Sequence, residues 1–167
     1  MTPPHHPAGG GARDAWAAYR RLQLLVDVEI SRDLEKDSGL SMPDYDVLAA
    51  VAEMSCEETC VRVSGLANRM HWDHSRLSRQ LRRMQQRGLI ARQSCELDGR
   101  GDDVLLTETG RQTLERATPA HLASIDRHFS GALSERQLDA LIGIQQTIAA
   151  SRADSGPAGV SRGGSRA

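Results

Sequence analysis

The sequence predicts a mainly helical protein carrying one small β-hairpin, and three observations predict it. Apolar residues recur at three- and four-residue steps through six separate segments. Near residue 100, two short β-type runs flank the Gly-containing string "DGRGD". Hydrophobic residues make up 39% of the 167-residue chain and charged residues 26%, the range of a globular protein, while aromatics are only 3%. The core must therefore be built from Leu, Ala, Val and Ile.

The first helix is expected from Asp14 to about Lys36, with Trp16, Tyr19, Leu22, Val26, Ile30 and Leu34 on one stripe and Gly39 at its end. "SMPDYDVLAAVAEM" starts a second, with Ser41 as N-cap, Pro43 in the first turn and Val47, Leu48, Val51 and Met54 facing inward. "CEETCVRVS" reads as a loop, and Val61 and Val63 around Arg62 give a brief strand signal. Ser64 is expected to cap a third helix, with Leu66, Ala67 and Met70 inward. A fourth, around "DHSRLSRQLRRM" (73–84), is expected to be capped by Asp73 and to close at Gly88. "LIARQSCEL" and "DVLLT" are the two hairpin strands. Thr107 caps the next helix, which Pro119 is expected to kink or break. Ser134 and Gln137 have capping-box spacing and open a last helix bearing Leu138, Leu141, Ile142, Gln145 and Ile148. Residues 1–12 and 151–167, rich in Gly, Pro, His and Ser, are expected to be flexible tails.

Net charge is −1, but it is unevenly spread. Residues 69–92 hold seven arginines and one acid, a local +6, so the rest carries −7. Residues 13–60 hold five basic and eleven acidic residues. A basic stretch inside a near-neutral chain points to one polyanion-binding surface, the alternative being a solvated helix face. No stretch is apolar enough to span a membrane and the N-terminus lacks the apolar region of a signal peptide, so a cytoplasmic protein is expected. Three cysteines, an odd count, do not suggest a disulfide framework.

The order of elements from 64 to 107 gives a helix-turn-helix followed by a hairpin, a winged helix-turn-helix, with the second helix of the pair destined for a major groove. Leu77, Leu81 and Met84 share one face and would anchor that helix. Ser75, Arg76, Ser78 and Arg79 are left as a base-reading edge, His74 lies close by, and Arg82, Arg83 and Arg87 are placed to grip phosphate. Arginine offers a planar fork matching guanine O6 and N7 or a phosphate. Each arginine could instead form a surface ion pair, but Asp73 is the sole acid within the stretch. Asp98 and Arg100 sit at the hairpin tip, where a lone arginine suits a minor groove or backbone contact and a plain Asp–Arg turn is the alternative.

"DGRGDDVLLTETG" (98–110) resembles the wing signature of the MarR family of bacterial transcriptional regulators, meeting it at Asp98, Arg100, Val104, Leu106, Thr107 and Gly110. "SGLANRMHWDHSRLSRQLRRMQQRGLIAR" is similar to the family's helix-turn-helix core, and "DSGLSMPDYDVLAAV" to the approach to its second helix. The resemblance covers about residues 13–150. It implies a DNA-binding module at about 41–107 and dimerisation helices at about 13–37 and 107–150. It further implies a homodimer on a pseudo-palindromic DNA operator with half-sites one helical turn apart, acting as a repressor released by a small-molecule ligand. Trp16, Tyr19, Arg20, Tyr45 and His121 are chemically suitable to line an effector cleft, ordinary packing being the alternative for the aromatics.

Weaker signals point elsewhere. His71, Asp73 and His74 in "HWDH" could be read as a metal site, hence a metal-dependent hydrolase, but a fourth ligand is missing and no nucleophile elbow, phosphate loop or Cys/His zinc pattern supports an enzyme. No cofactor is expected. Cys56 and Cys60 could sense oxidants, with Cys95 a further thiol, although Glu57 and Glu58 would raise a neighbouring thiol's pKa. A winged module used for protein contacts alone is a third reading.

Overall fold

A computed structural model describes residues 10–57, 61–94 and 102–154. In chain order these form α1 (Gly10–Ser38), α2 (Met42–Glu57), α3 (Val63–Met70), α4 (His74–Gln86), β1 (Ile90–Ser94), β2 (Asp102–Leu106), α5 (Glu108–His128) and α6 (Glu135–Asp154), with a 3-10 turn at Ser130–Ala132. Mainly helical with a two-stranded antiparallel sheet, the fold is the one expected. The strands pair from Ile90 opposite Leu106 to Ser94 opposite Asp102. Asp98, Arg100, Cys60 and Cys95, and the side chain of Cys56, lie outside the described residues.

The apolar core sits where α2, α3, α4 and the sheet converge. Val47, Leu48 and Val51 of α2 meet Leu66 of α3, Leu77, Leu81 and Met84 of α4, and Ile90 and Val104 of the strands. All three anchors expected on the fourth helix are fully buried, each contributing about 1.5–3 kcal/mol of transfer free energy. α1 and α5 form the second layer. Asp33 accepts hydrogen bonds from the Ser124 hydroxyl (2.8 Å) and Arg127 (3.1 Å), with His128 Nε2 at 2.9 Å. Tyr45, in the first turn of α2, reaches Thr118 of the same helix α5. Along α1 the stripe divides. Ile30 and Leu34 are buried, whereas Trp16, Tyr19 and Leu22 are exposed.

Four local expectations change. α1 starts at Gly10 and α6 continues to Asp154, so both helices run into the expected tails. Ser64 is not the α3 cap; Arg62 is, with extended φ −74° and ψ 141° and no side-chain capping bond. The reason is tertiary: Arg62 bridges Asp103, and Val104 N–H donates to Val61 O at 2.8 Å. The brief strand signal is thus real but one bridge long, and the helix must begin directly after it. Pro119 does not break α5, which runs through it over 21 residues. Pro119 is exposed, so the carbonyl one turn earlier that loses its donor can bond water instead.

One junction ties the layers together. Thr107 caps α5 by accepting the Gly110 N–H at 2.9 Å, and its hydroxyl donates to Gly88 O at 2.6 Å. Thr107 N–H also donates to Leu89 O at 3.2 Å. The Gly88 at the end of α4, with φ +69°, is thereby stitched to the first turn of α5.

Candidate nucleic-acid interface

The helix-turn-helix is α3, the turn at 71–73, and α4. His71 closes α3 in the left-handed conformation, φ 52°, its N–H donating to Asn68 O, while Trp72 N–H donates to Ala67 O. Asp73 then caps α4: its Oδ1 accepts the Arg76 N–H at 2.8 Å. That backbone bond, with help from Ser75 and the charge of Arg79, holds the Asp73 carboxyl below the usual carboxylate range. Asp73 is therefore occupied as a cap, the role expected of it, and among the described residues no cluster of three or more His, Cys, Asp or Glu side chains could hold a metal ion.

At 100° per residue, α4 has three faces. Leu77, Leu81 and Met84 face the core. Ser75, Arg79 and Arg82, all exposed, point directly away from it. Arg76 and Arg83 lie on one flank, and His74 and Ser78 on the other, where the Ser78 hydroxyl and His74 Nδ1 are 3.4 Å apart. Arg76 is exposed and its guanidinium lies 4.0 Å from the Trp72 ring centroid, a stacking worth about 0.5–1 kcal/mol at an exposed site that also fixes the direction of the side chain.

The flank shared by Arg76 and Arg83 carries polar residues that sequence periodicity did not single out. Gln80 is 3% exposed although polar. Its Nε2 donates to Asp44 Oδ1 at 2.6 Å, and Arg83 donates to its Oε1. Arg87 is engaged as well, through an ion pair with Asp44 at 2.7 Å and a bond to Gly39 O at 3.1 Å. So the ion-pair alternative raised for these arginines holds for Arg87, with a partner 43 residues away that a local count of acids misses. Burial pushes the Asp44 carboxyl up, but hydrogen bonds from Ser41 and Arg87 outweigh it and hold the carboxyl below its ordinary value.

The five residues chosen as effector liners fall in two places. Tyr45 and His121 stack at the α2–α5 seam, ring centroids 4.3 Å apart. His121 is 8% exposed, its Nδ1 has no hydrogen-bond partner, and burial lowers its pKa. Trp16 and Tyr19 pair at 5.7 Å on the exposed half of α1, with Arg20 donating to Gln23. Arg20 lies thirteen residues before Asp33, about 20 Å along the helix, and Asp33 is the residue that meets α5 one turn from His121. Within one protomer the two groups do not line a common cavity.

Known proteins place this arrangement. A model of the MarR family matches residues 38–101. The crystal structure of AbsC, a MarR family transcriptional regulator from Streptomyces coelicolor, is 32% identical, with 89% of this chain and 99% of that chain aligned and a TM-score of 0.80. That of Sco3205, a MarR family regulator from the same organism in complex with DNA, is 25% identical over 89% of this chain and 91% of that one, with a TM-score of 0.78. The transcriptional regulator HosA of Escherichia coli is 28% identical over 120 residues, 72% of this chain and 85% of its own length. Likeness to AbsC over nearly its whole length, together with the buried anchor and cation-rich outer face of α4, establishes that the chain belongs to the MarR family of winged-helix, DNA-binding transcriptional regulators.

Proposed function

We propose that the protein is a homodimeric, sequence-specific repressor whose α4 enters the major groove and which a small-molecule effector releases. The observation that carries this reading is the geometry of α4: a stripe of Leu77, Leu81 and Met84 with no exposed area beneath a face bearing Ser75, Arg79 and Arg82. In this reading Ser75, Ser78, Arg79, His74 and Arg76 contact base edges or nearby phosphates. Arg82 and Arg83 grip phosphate, Arg87 does so while anchored to Asp44, and Asp98 and Arg100 belong to the wing. The DNA-bound structure of Sco3205 supports the docking mode.

The dimer is supported by what one protomer leaves bare. α6 makes no extended packing against any other described element, whereas a helix in a protein draws most of its stability from packing its apolar face. Leu25 is 71% exposed, Trp16 63%, and Ile142, Ile144 and Ile148 are also exposed. A two-fold partner covering α1 and α6 would bury them and set two copies of α4 one helical turn apart on a pseudo-palindromic site. The effector locus is the Tyr45–His121 seam, where α2 of the reading module meets α5 and a buried ring nitrogen lacks a partner. Trp16, Tyr19 and Arg20 belong to the dimer face and would reach an effector from there. Selection of duplexes from a random-sequence pool, followed by gel shift, tests the reading. A two-fold-symmetric consensus bound as a dimer is expected; failure to enrich any sequence would sink it.

A further inference from the structure

We propose that Asp44 is a positioning residue for DNA reading: from the start of α2 it fixes, through Gln80, where Arg83 is presented to the duplex. This rests on the reading that α4 contacts DNA. Asp44 is 4% exposed and receives donors from three directions. Oδ2 accepts the Ser41 N–H at 3.1 Å, the Ser41 hydroxyl at 2.7 Å and Arg87 Nη1 at 2.7 Å, while Oδ1 accepts Gln80 Nε2 at 2.6 Å.

The chemistry sets a direction along this chain. A carboxylate only accepts, so the buried Gln80 amide must turn its NH2 group toward Asp44 and its oxygen the other way. That oxygen accepts from Arg83. Gln80 lies on the flank of α4 between the core stripe and the outer face, so the relay crosses from the protein interior to the surface where phosphate would bind. Arg83 is held in advance of binding, which reduces the rotamer freedom it would otherwise lose on the duplex. An arginine on that flank without the relay would keep its charge but not its aim.

Asparagine at 44 breaks the direction whichever way it sits. With its oxygen toward Ser41 and Arg87, its NH2 group faces Gln80, which must flip and present its own NH2 group to Arg83. With its oxygen toward Gln80, its NH2 group opposes the donors of Ser41 and Arg87. Gln80→Met removes the relay alone, leaving the Ser41 cap and the Arg87 ion pair in place at similar volume.

The test is a double-mutant cycle on affinity for a duplex selected by the wild-type protein, with side-chain ¹⁵N spectra of the free protein recorded alongside. Arg83→Met should weaken binding about tenfold in the wild-type background, as expected for a charged hydrogen bond. In Asp44→Asn or Gln80→Met it should weaken binding by less than about twofold, because the aim is already lost. In the free protein, the Arg83 Nε–H resonance should move in both variants. An Arg83→Met effect of the same size in all three backgrounds would overturn the proposal. An Arg83 resonance indifferent to both substitutions would overturn it even if no duplex were selected, and that absence of selection would separately refute the function proposed above.

Discussion

Alanine at Gly110 should destabilise the protein although Gly110 lies in the first turn of a helix, where alanine is the better former by up to about 1 kcal/mol. A Cβ there would lie 1.9 Å from the Leu89 carbonyl oxygen and 2.9 Å from its carbon. An ordinary carbon–oxygen approach is about 3.3 Å, so the first turn of α5 must back away by roughly 1.4 Å. Both partners are backbone, and neither can rotate aside. Overpacking of this kind costs about 1–3 kcal/mol. The same displacement pulls on the Thr107 cap and on its N–H bond to Leu89, about 1 kcal/mol each. Less the gain in helix propensity, the net loss is about 2–4 kcal/mol out of a stability of about 5–15. Gly65 is the internal comparison: it holds the same third position in α3, but its added Cβ would meet only the Met54 methyl at 3.5 Å, so alanine there should stabilise by up to about 1 kcal/mol. Urea unfolding of both variants at one protein concentration reads the two signs. A neutral or stabilising Gly110→Ala would refute the claim that Leu89 and the α5 start are pressed together, and with it the rigid coupling of the reading module to α5.

Other consequences are quicker to check. Asp73→Ala should lower stability by uncapping α4, and chemical denaturation showing no change would remove Asp73 from that role. Charged residues at Leu25 and Ile148 together should shift the protein from dimer to monomer in analytical ultracentrifugation; an unchanged dimer would place its interface elsewhere. Burial penalises the charged form of His121, so its folded pKa lies below the ordinary 6.5. The unfolded chain therefore takes up the proton first on acidification. The stability is fully present above pH 6.5 and is lost as pH falls through the lower folded value. His121→Phe, measured against wild type from pH 7.5 to 5, should lose less stability over that interval, and parallel curves would contradict the assignment.

Much of this was legible in the sequence because it rests on short-range physics. The α4 anchor follows from periodicity, the Asp73, Thr107 and Ser134 caps from residue type and spacing, and the hairpin from two β-type runs around a glycine turn. Ser134 and Gln137 meet as the spacing suggests but close only half of the box: the Gln137 side chain accepts from both the N–H and the hydroxyl of Ser134 at 2.9 Å, while the Gln137 N–H donates to the Ser134 carbonyl rather than to its hydroxyl. What was not legible depends on long-range contact. The start of α3 is decided by a bridge between Arg62 and Asp103. Arg87 finds its acid on another helix. Gln80 falls three residues after Leu77 and four before Met84, so a polar residue inside an apolar stripe was a visible signal; its partner was not. On α1 the same period that marks Ile30 and Leu34 as core marks Trp16 and Leu22, which this protomer leaves exposed. Periodicity reports that a face will be buried, but not by which chain.

Titrating a selected duplex with wild type and Arg79→Ala at several salt concentrations decides whether the outer face of α4 reads DNA. A base-reading Arg79 predicts a loss of about 1–3 kcal/mol against the selected site and relaxed preference at one base pair. A phosphate grip predicts an even loss across sequences and a salt slope lower by about one. Binding that is unchanged in affinity, preference and salt slope would contradict the account.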